Sequence, residues 1–250
     1  DNNIQADWVH IDDIDKYSFL YLPIPVALKE STVETLKAWV AKGGTLVSEG
    51  CPAYFGDRGR VGIRQPNYGL DEVFGAVESY VEFTPDLLSE LEINMSGTSL
   101  RGGLFLQKYE VTTGTPAGWD DDGSVAAVEA RYGEGKTMLI GTFPGSGYFN
   151  GRTPGSKAFF RGLLDWAGVT QQVTCTEPRL TARLHTGAGG TYLWVTNPTP
   201  DALPARLALS MHGGVFSGVQ LLWGQDQPTL SGDTVDVIVG GLDAAVVKLT

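Results

Sequence analysis

The chain has 250 residues, of which 42% are hydrophobic and 19% charged, so it is long enough for one large domain or two ordinary ones. Its 18 basic and 29 acidic residues give a net charge of −11, which disfavours nucleic acid as a partner because an acidic surface repels phosphate backbones. There is no run of about twenty apolar residues, and Cys51 and Cys175 lack the spacing of a metal site or a disulfide framework, so we expect no membrane span, metal or cofactor.

The first residues predict a strand over 4–11 and a single helical turn over 12–15. The chain has neither an initiator methionine nor a signal peptide, and its strand-like run begins almost at once. We therefore expect a piece of a longer polypeptide, and the compartment stays open.

The stretch 19–52 predicts a strand, a helix and a second strand. Residues 19–22 form an apolar run closed by prolines, and 45–49 form the second strand. Between them, Ser31 and Glu34 match the S-x-x-E capping box that begins a helix. An apolar helix face and a terminating glycine pair follow, namely Val33, Leu36, Trp39 and Val40, then Gly43 and Gly44. This unit predicts a parallel sheet, whose ligands meet the carboxyl ends of the strands, here 23–25 and 49–52.

The remainder of the first domain alternates loops with short elements. The sequence predicts a long loop over 53–70, a short helix over 70–75, an excursion of short strands over 79–107 with turns at 84–85 and 96–97, a strand over 109–113, a hairpin of 124–131 with 136–142, a glycine-rich loop over 143–154, and a helix over 156–168. Long loops at strand ends are often functional, so 53–70 and 143–154 are the places to look for a site.

The pattern changes near residue 173. Beyond it, short alternating runs separated by glycine and proline clusters cover 180–186, 191–197, 205–211, 218–223, 234–239 and 244–249. They predict an antiparallel β-sandwich or barrel of about six strands. The expected domains are therefore an α/β domain over 1–172 and an all-β domain over 173–250.

Cys51 is a candidate nucleophile because it ends a strand that follows a helix. Such a nucleophile needs a sharp elbow with a free backbone N–H, and a histidine and a carboxylate to activate it. Pro52 removes one N–H, and the three histidines are His10, on a predicted strand, and His185 and His212, in the β domain. A buried, inert thiol is the favoured interpretation.

Acidic residues give weaker signals. Three consecutive aspartates, 120–122, precede a glycine but lack further ligands at the spacing of a calcium loop, so we expect a solvated turn. Glu49, Asp57 and Glu129 could supply the two carboxylates of a glycoside hydrolase, but the sequence does not place any two of them together. We assign no catalytic pair.

Aromatic side chains on the two loops suit a hydroxyl-rich ligand, since such rings stack on sugars beside polar groups. The alternative is packing within the loops or against another subunit. The candidate substrate-binding residues are Glu49, Tyr54, Asp57, Arg58, Tyr148 and Phe149.

Several segments, in order, resemble a known family. The run Leu36-x-x-Trp39-Val40-x-x-Gly43-Gly44-x-Leu46-Val47 is similar to the L-x-x-Y/W-V-x-x-G-G-x-L-V segment of the β-galactosidase trimerisation domain of family-42 glycoside hydrolases. Residues 21–23 resemble its strand and proline, 70–75 its short L-x-x-L-x-G helix, and 127–142 its later hairpin. Residues 191–198 resemble a strand of the small β domain that ends those enzymes.

The resemblance implies an amidotransferase-like (flavodoxin-like) α/β fold that lacks its opening strand and helix. It also implies a non-catalytic role beside an upstream barrel that holds the catalytic glutamates, with assembly into a homo-oligomer such as a trimer. The parent would hydrolyse terminal β-galactosides, and the strand-end loops would help to shape the sugar site.

Three alternatives remain. The loops 49–62 and 141–151 are richer in aromatic residues and glycine than expected for family 42, so a family-35-like enzyme with the same appended modules is one. A stand-alone carbohydrate-binding or scaffold protein is another. A hydrolase or amidotransferase relative that uses Cys51 is the third.

Overall fold

The computed structural model describes residues 3–84, 91–210 and 216–250, which form two compact units. The α/β unit comprises residues 8–162, and the β unit comprises residues 1–7 and 163–250. Among the described residues, no helix combines the length and apolar character that a bilayer crossing requires.

The α/β unit contains the helices α1–α3, the strands β1–β9 and the first part of α4, whose residues from 163 onward belong to the β unit. Their bounds are β1 Phe19–Leu22, α1 Glu30–Ala41, β2 Thr45–Ser48, α2 Leu70–Phe74, β3 Ala76–Phe83, β4 Leu91–Met95, β5 Thr98–Gly102, β6 Phe105–Val111, β7 Thr115–Trp119, β8 Val125–Tyr132, β9 Gly135–Ile140, α3 Pro144–Asn150 and α4 Pro154–Ala167. Short 3-10 helices cover Ile11–Lys16 and Asp57–Gly59.

Seven of these strands form one mixed sheet in the order β1-β2-β9-β8-β7-β4-β5. The pairs β1–β2 and β2–β9 are parallel, as predicted for the first, whereas every later pair is antiparallel. The parallel sheet expected from the βαβ unit therefore extends only over β1, β2 and β9, and β8 and β9 form the predicted hairpin, whose tight turn requires antiparallel strands. Strands β3 and β6 pair separately.

The predicted apolar face of α1 is confirmed. Its buried residues are Val33, Leu36, Trp39 and Val40. They share a core with residues of the sheet and α2, including Leu46, Val73, Phe74, Val128 and Leu139. Glycine is required where α1 ends, since a Cβ on Gly44 would overlap the Trp39 ring. Burial of this face packs α1 against the sheet.

The β unit consists of short antiparallel strands, as predicted. Their bounds are β10 Val173–Cys175, β11 Thr181–Gly187, β12 Gly190–Asn197, β13 Leu203–Leu209, β14 Val219–Trp223, β15 Thr229–Ser231, β16 Thr234–Val239 and β17 Asp243–Leu249. They form two four-stranded sheets, β10-β13-β16-β15 and β11-β12-β17-β14, whose inward residues share one apolar core. The sequence missed β10 and β15, which have only three residues each.

The predicted strand over 4–11 is wrong. Residues 3–10 have no regular secondary structure, and the predicted turn is the 3-10 helix Ile11–Lys16. Side chains replace the backbone ladder here: Asn3 Oδ1 accepts a hydrogen bond from Ala182 N at 2.7 Å, and Gln5 Oε1 accepts one from Leu184 N at 3.2 Å. These amides lie along β11 without pairing as a strand.

Two further local predictions are wrong. Helix α1 begins at Glu30, with Lys29 as its N-cap and no side-chain capping bond, so Ser31 lies inside the helix and forms no capping box. The supposed loop 143–154 contains α3, which begins with Pro144 at its first position, where the fixed φ of proline favours a helix. The predicted turn at 84–85 extends beyond the described residues.

Candidate functional site

Glu49 is the polar centre of the strand-end region. It follows β2, and its side chain is fully buried, at 0% exposure. Its carboxylate accepts three hydrogen bonds, from Tyr21 Oη at 2.8 Å, Ile24 N at 2.8 Å and Gly145 N at 2.7 Å. The donors belong to β1, the segment after β1, and the first turn of α3. Glu49 therefore fixes three separate pieces of chain at the carboxyl ends of the parallel strands.

Burial is the largest influence on the pKa values of Glu49 and Tyr21. It raises the pKa of the Glu49 carboxyl, although the three hydrogen bonds oppose that shift. Burial, and then the Glu49 charge, raise the pKa of the Tyr21 hydroxyl well above its usual value. Tyr21 therefore stays a hydrogen-bond donor at neutral pH. A carboxylate with all its hydrogen-bond partners inside the protein is suited to positioning the loops around it.

Cys51 lies two residues beyond Glu49 in a buried polar network. Its φ of 57° is left-handed, and the residue is only 1% exposed. Gln107 Oε1 accepts hydrogen bonds from Cys51 N at 2.6 Å and from Tyr109 Oη at 2.8 Å, while Gln107 Nε2 donates to Glu78. Burial, and then the Glu78 charge, raise the pKa of the Cys51 thiol. Both effects favour the unreactive thiol over the thiolate.

The described histidines do not serve Cys51 as a base. His10 is exposed and accepts a hydrogen bond from Asp12 N at the start of the 3-10 helix. His185 belongs to β11 in the β unit, and His212 lies outside the described residues. In the part of the chain that the structure describes, Cys51 donates its backbone N–H to Gln107, and this structural hydrogen bond supplies no base for the thiol.

The loop after Cys51 carries three of the candidate residues. Tyr54 is half-buried, with its ring edge-on to Phe55 at 5.5 Å, and burial raises the pKa of its hydroxyl. Asp57 Oδ2 accepts a hydrogen bond from Glu30 N at 3.0 Å and so caps α1 from a distant loop. Arg58 is exposed, with a left-handed φ of 62°.

Tyr148 and Phe149 lie on α3. The Tyr148 ring packs edge-on against Phe160 at 5.4 Å, and Phe160 in turn lies 6.0 Å from Tyr21. Tyr148 is thus linked to Glu49 through two aromatic side chains. Phe149 points away from this packing and is 87% exposed.

The structure sorts the predicted residues into two groups. Glu49 is linked to Tyr148 of α3 through Tyr21 and Phe160, and Phe149 on the same helix is exposed. Tyr54, Asp57 and Arg58 lie on the loop that follows Cys51. Sequence reasoning missed Tyr21 and Gln107. A buried strand tyrosine beside a buried glutamate was a usable signal for Tyr21, but Gln107 is 56 residues from Cys51 and gave none.

The aspartates at 120–122 form a turn, as predicted. The Lys108 ammonium binds Asp120 Oδ2 at 2.7 Å and Asp122 Oδ2 at 2.6 Å, and its hydrogen bond, followed by those from Ser124, lowers the pKa of the Asp122 carboxyl to about 2. A lysine therefore supplies the positive charge that a metal would bring. Within the described ranges, no three histidine, cysteine, aspartate or glutamate side chains are grouped to hold a metal ion.

The chain combines an α/β unit built on a mixed sheet with a β unit of two sheets. Its buried strand-end glutamate positions loops, so the architecture is that of a structural domain. The family model of the "Beta-galactosidase trimerisation domain" matches residues 1–170. The chain belongs to the β-galactosidase trimerisation domain family.

Curated relatives match part of the chain. It is 27% identical over 151 residues to the β-galactosidase bgaB of Geobacillus kaustophilus, an overlap of 58% of this chain and 22% of the relative. The match therefore covers less than a quarter of the length of that relative.

Solved structures share the fold at low identity. A catalytic mutant of Gan42B, a GH42 β-galactosidase from G. stearothermophilus, superposes with a TM-score of 0.72 at 19% identity, covering 95% of this chain and 33% of that one. The β-galactosidase from Bacillus circulans sp. alkalophilus gives 0.72 at 17%, covering 100% and 35%. An α-L-fucosidase isoenzyme 2 from Paenibacillus thiaminolyticus gives 0.64 at 15%, covering 96% and 42%.

Proposed function

We propose that this chain is the assembly module of a β-galactosidase-like glycoside hydrolase, and that it holds subunits together in a homo-oligomer, a trimer. Family membership supports the role. The observation that carries it in this chain is an exposed apolar patch on the strand-end loops.

This loop patch consists of Ile24, Phe55, Val61 and Ile63. They are 52%, 38%, 51% and 108% exposed. Backbone bonds hold their segments together, since Ala53 N donates to Pro25 O, Phe55 N donates to Val26 O, and Phe55 forms an isolated antiparallel bridge with Val61. Large apolar side chains held at a surface by an ordered backbone are typical of protein interfaces.

The proposed domain boundary lies near the end of the family match, which covers residues 1–170, and not at the limits of the two compact units. Residues 1–172 form an amidotransferase-like α/β domain, and residues 173–250 form the C-terminal β domain. The parallel β1-α1-β2 unit with β9 beside it supports the first part, because such folds place parallel strands and their ligand-facing loops at one sheet edge.

The parent polypeptide is proposed to hydrolyse terminal β-galactosides with glutamates of an upstream barrel. Glu49, Tyr54, Asp57, Arg58, Tyr148 and Phe149 would then act in substrate binding. The buried Glu49 would act by positioning α3, while the exposed Phe149 and Arg58 would face the ligand. Aromatic and polar side chains on ordered loops suit a sugar.

A hydrolysis assay tests this division of labour. The 250-residue chain should release no p-nitrophenol from p-nitrophenyl β-galactoside, while the polypeptide that carries it behind the barrel should. In that polypeptide, Phe149→Ala should raise KM about threefold or more with kcat within twofold, because it removes ground-state binding. Leu242→Ala is the control, since Leu242 is exposed on the β unit. Turnover by the 250-residue chain, or a gene product without a barrel, would contradict the proposal.

A further inference from the structure

The β unit presents one sheet face whose chemistry the assembly role does not use. In the sheet β11-β12-β17-β14, alternate residues such as Leu184, Leu193, Val195 and Val247 point into the core. The intervening residues must face outward, because side chains alternate along a strand. We call this surface the outer face.

Apolar side chains form a row across the outer face. The pairing register aligns Trp194 of β12 with Val246 of β17. On β14 the register shifts between Leu221 and Trp223, and this irregularity in the alternation aligns Trp223 with Val246 as well. The two tryptophans are 45% and 62% exposed, whereas Val246 between them is only 8% exposed. Trp223 Nε1 donates to Asp243 Oδ1 at 3.1 Å, which holds one indole in place. The two indoles therefore lie at the surface on either side of the buried Val246 side chain.

Polar side chains form a second row beside the first. Register places His185, Tyr192, Lys248 and Gln220 next to one another across the same four strands. Lys248 Nζ lies 6.0 Å from the Tyr192 ring centre, and the His185 ring is edge-on to Trp194 at 6.5 Å. The two rows are therefore in contact, one apolar and one rich in hydrogen-bonding groups.

The charge of the outer face is opposite to that of the chain. Its outward positions on these four strands carry Arg183, His185 and Lys248, while Asp243 at the start of β17 brings one carboxylate to Trp223 Nε1, so the cationic side chains still outnumber the acidic one. The chain as a whole has a net charge of −11. A local basic surface on an acidic protein favours an anionic partner by electrostatic complementarity.

We propose that the outer face binds an acidic polysaccharide, a chain of pyranose rings that carries carboxylates. Trp194 and Trp223 are two strand spacings apart, roughly 10 Å, a span suited to a disaccharide. The apolar faces of alternate rings would stack on the indoles, and carboxylates and hydroxyls would meet Lys248, Arg183 and the polar row. This binding is separate from the strand-end loops and does not rest on the proposed assembly role.

Affinity electrophoresis and calorimetry of the 250-residue chain test the proposal, with polygalacturonate and neutral β-1,4-galactan as probes. Polygalacturonate should bind, and Trp194→Ala or Trp223→Ala should weaken it about tenfold each, while Lys248→Ala should weaken it severalfold and reduce its salt dependence. Trp194→Tyr should keep most of the affinity, because it keeps an aromatic face. Thermal melting of each variant checks that the fold is retained.

Matched controls come from other surfaces. Trp119 is a 37% exposed tryptophan of the α/β unit, and Arg206 pairs with Asp236 in the other sheet of the β unit. Trp119→Ala and Arg206→Ala should leave binding unchanged. Absence of polygalacturonate binding, equal binding of neutral galactan, equal losses in the controls, or self-association that Trp223→Ala abolishes would each overturn the proposal. The first three results would leave the assembly proposal on the loop patch unaffected, whereas self-association through Trp223 would also move the interface away from that patch.

Discussion

At the scale of single residues, the candidate site is determined by where polar groups find partners. Glu49 is one of the few fully buried charged residues described, and it accepts from Tyr21, Ile24 and Gly145. A buried carboxylate is tolerated when donors surround it, and here each donor comes from a different segment. The sequence identified Glu49 as a strand-end acid, but not its donors, since Gly145 lies 96 residues away.

Replacing Glu49 with glutamine should destabilise the chain by about 1–3 kcal/mol. The carboxylate uses both oxygens as acceptors, with Oε1 serving Tyr21 and Gly145 and Oε2 serving Ile24. The amide NH₂ of glutamine is itself a donor, so it would face at least one of the three groups that now donate to Glu49 and leave that group without an acceptor. Urea unfolding measures the loss, with Glu134→Gln in an exposed turn as the control. Equal free energies of unfolding for the two variants would contradict this role.

Cys51 should be inert in the native chain. It is 1% exposed, so a reagent cannot reach the sulfur. Burial also raises the pKa of the thiol, which disfavours the reactive thiolate. In Cys175→Ala, which leaves one thiol, iodoacetamide at pH 8 should modify Cys51 at least about a hundredfold more slowly than in urea. Mass spectrometry of the peptide measures the rate. Comparable rates with and without urea would restore the hypothesis of a reactive cysteine.

At the scale of elements, periodic segments were predictable and tertiary contacts were not. The apolar face of α1, the hairpin of β8 and β9, and six strands of the β unit follow from local pattern. The start of α1 did not, because Asp57 caps it from a loop 27 residues away and the local Ser31 signal was not used. Helix α3 was missed for a similar reason, since its glycines suggest a loop unless close packing requires them.

Two helical glycines should respond in opposite ways to alanine. A Cβ on Gly147 of α3 would overlap the Arg101 carbonyl oxygen, whereas a Cβ on Gly162 of α4 meets nothing within 4 Å. Gly147→Ala should therefore destabilise the chain by about 1–3 kcal/mol through overpacking. Gly162→Ala should stabilise it by about 0.5–1 kcal/mol, because alanine loses less backbone entropy. Thermal unfolding compares them, and changes of the same sign would contradict the packing argument.

At the scale of the whole molecule, the fold places four exposed apolar residues on the ordered strand-end loops. Ile24, Phe55, Val61 and Ile63 are exposed while the segments that carry them are hydrogen-bonded together. Composition alone disfavoured nucleic acid as a partner. It could not reveal the loop patch, because the patch depends on backbone hydrogen bonds between residues 24–28 and 53–61. The resemblance of ordered motifs supplied the family, and the structure supplied the surface on which the assembly proposal depends.

Sedimentation equilibrium of the 250-residue chain is the most direct test of the assembly proposal. We expect a mass of three chains of 26.8 kDa each at micromolar concentration. Ile63→Asp should shift the population to monomers, because it places a charge in a desolvated interface, while Leu242→Asp on the β unit should leave the trimer intact. A wild-type chain that stays monomeric, or a trimer that Ile63→Asp does not weaken, would contradict the account.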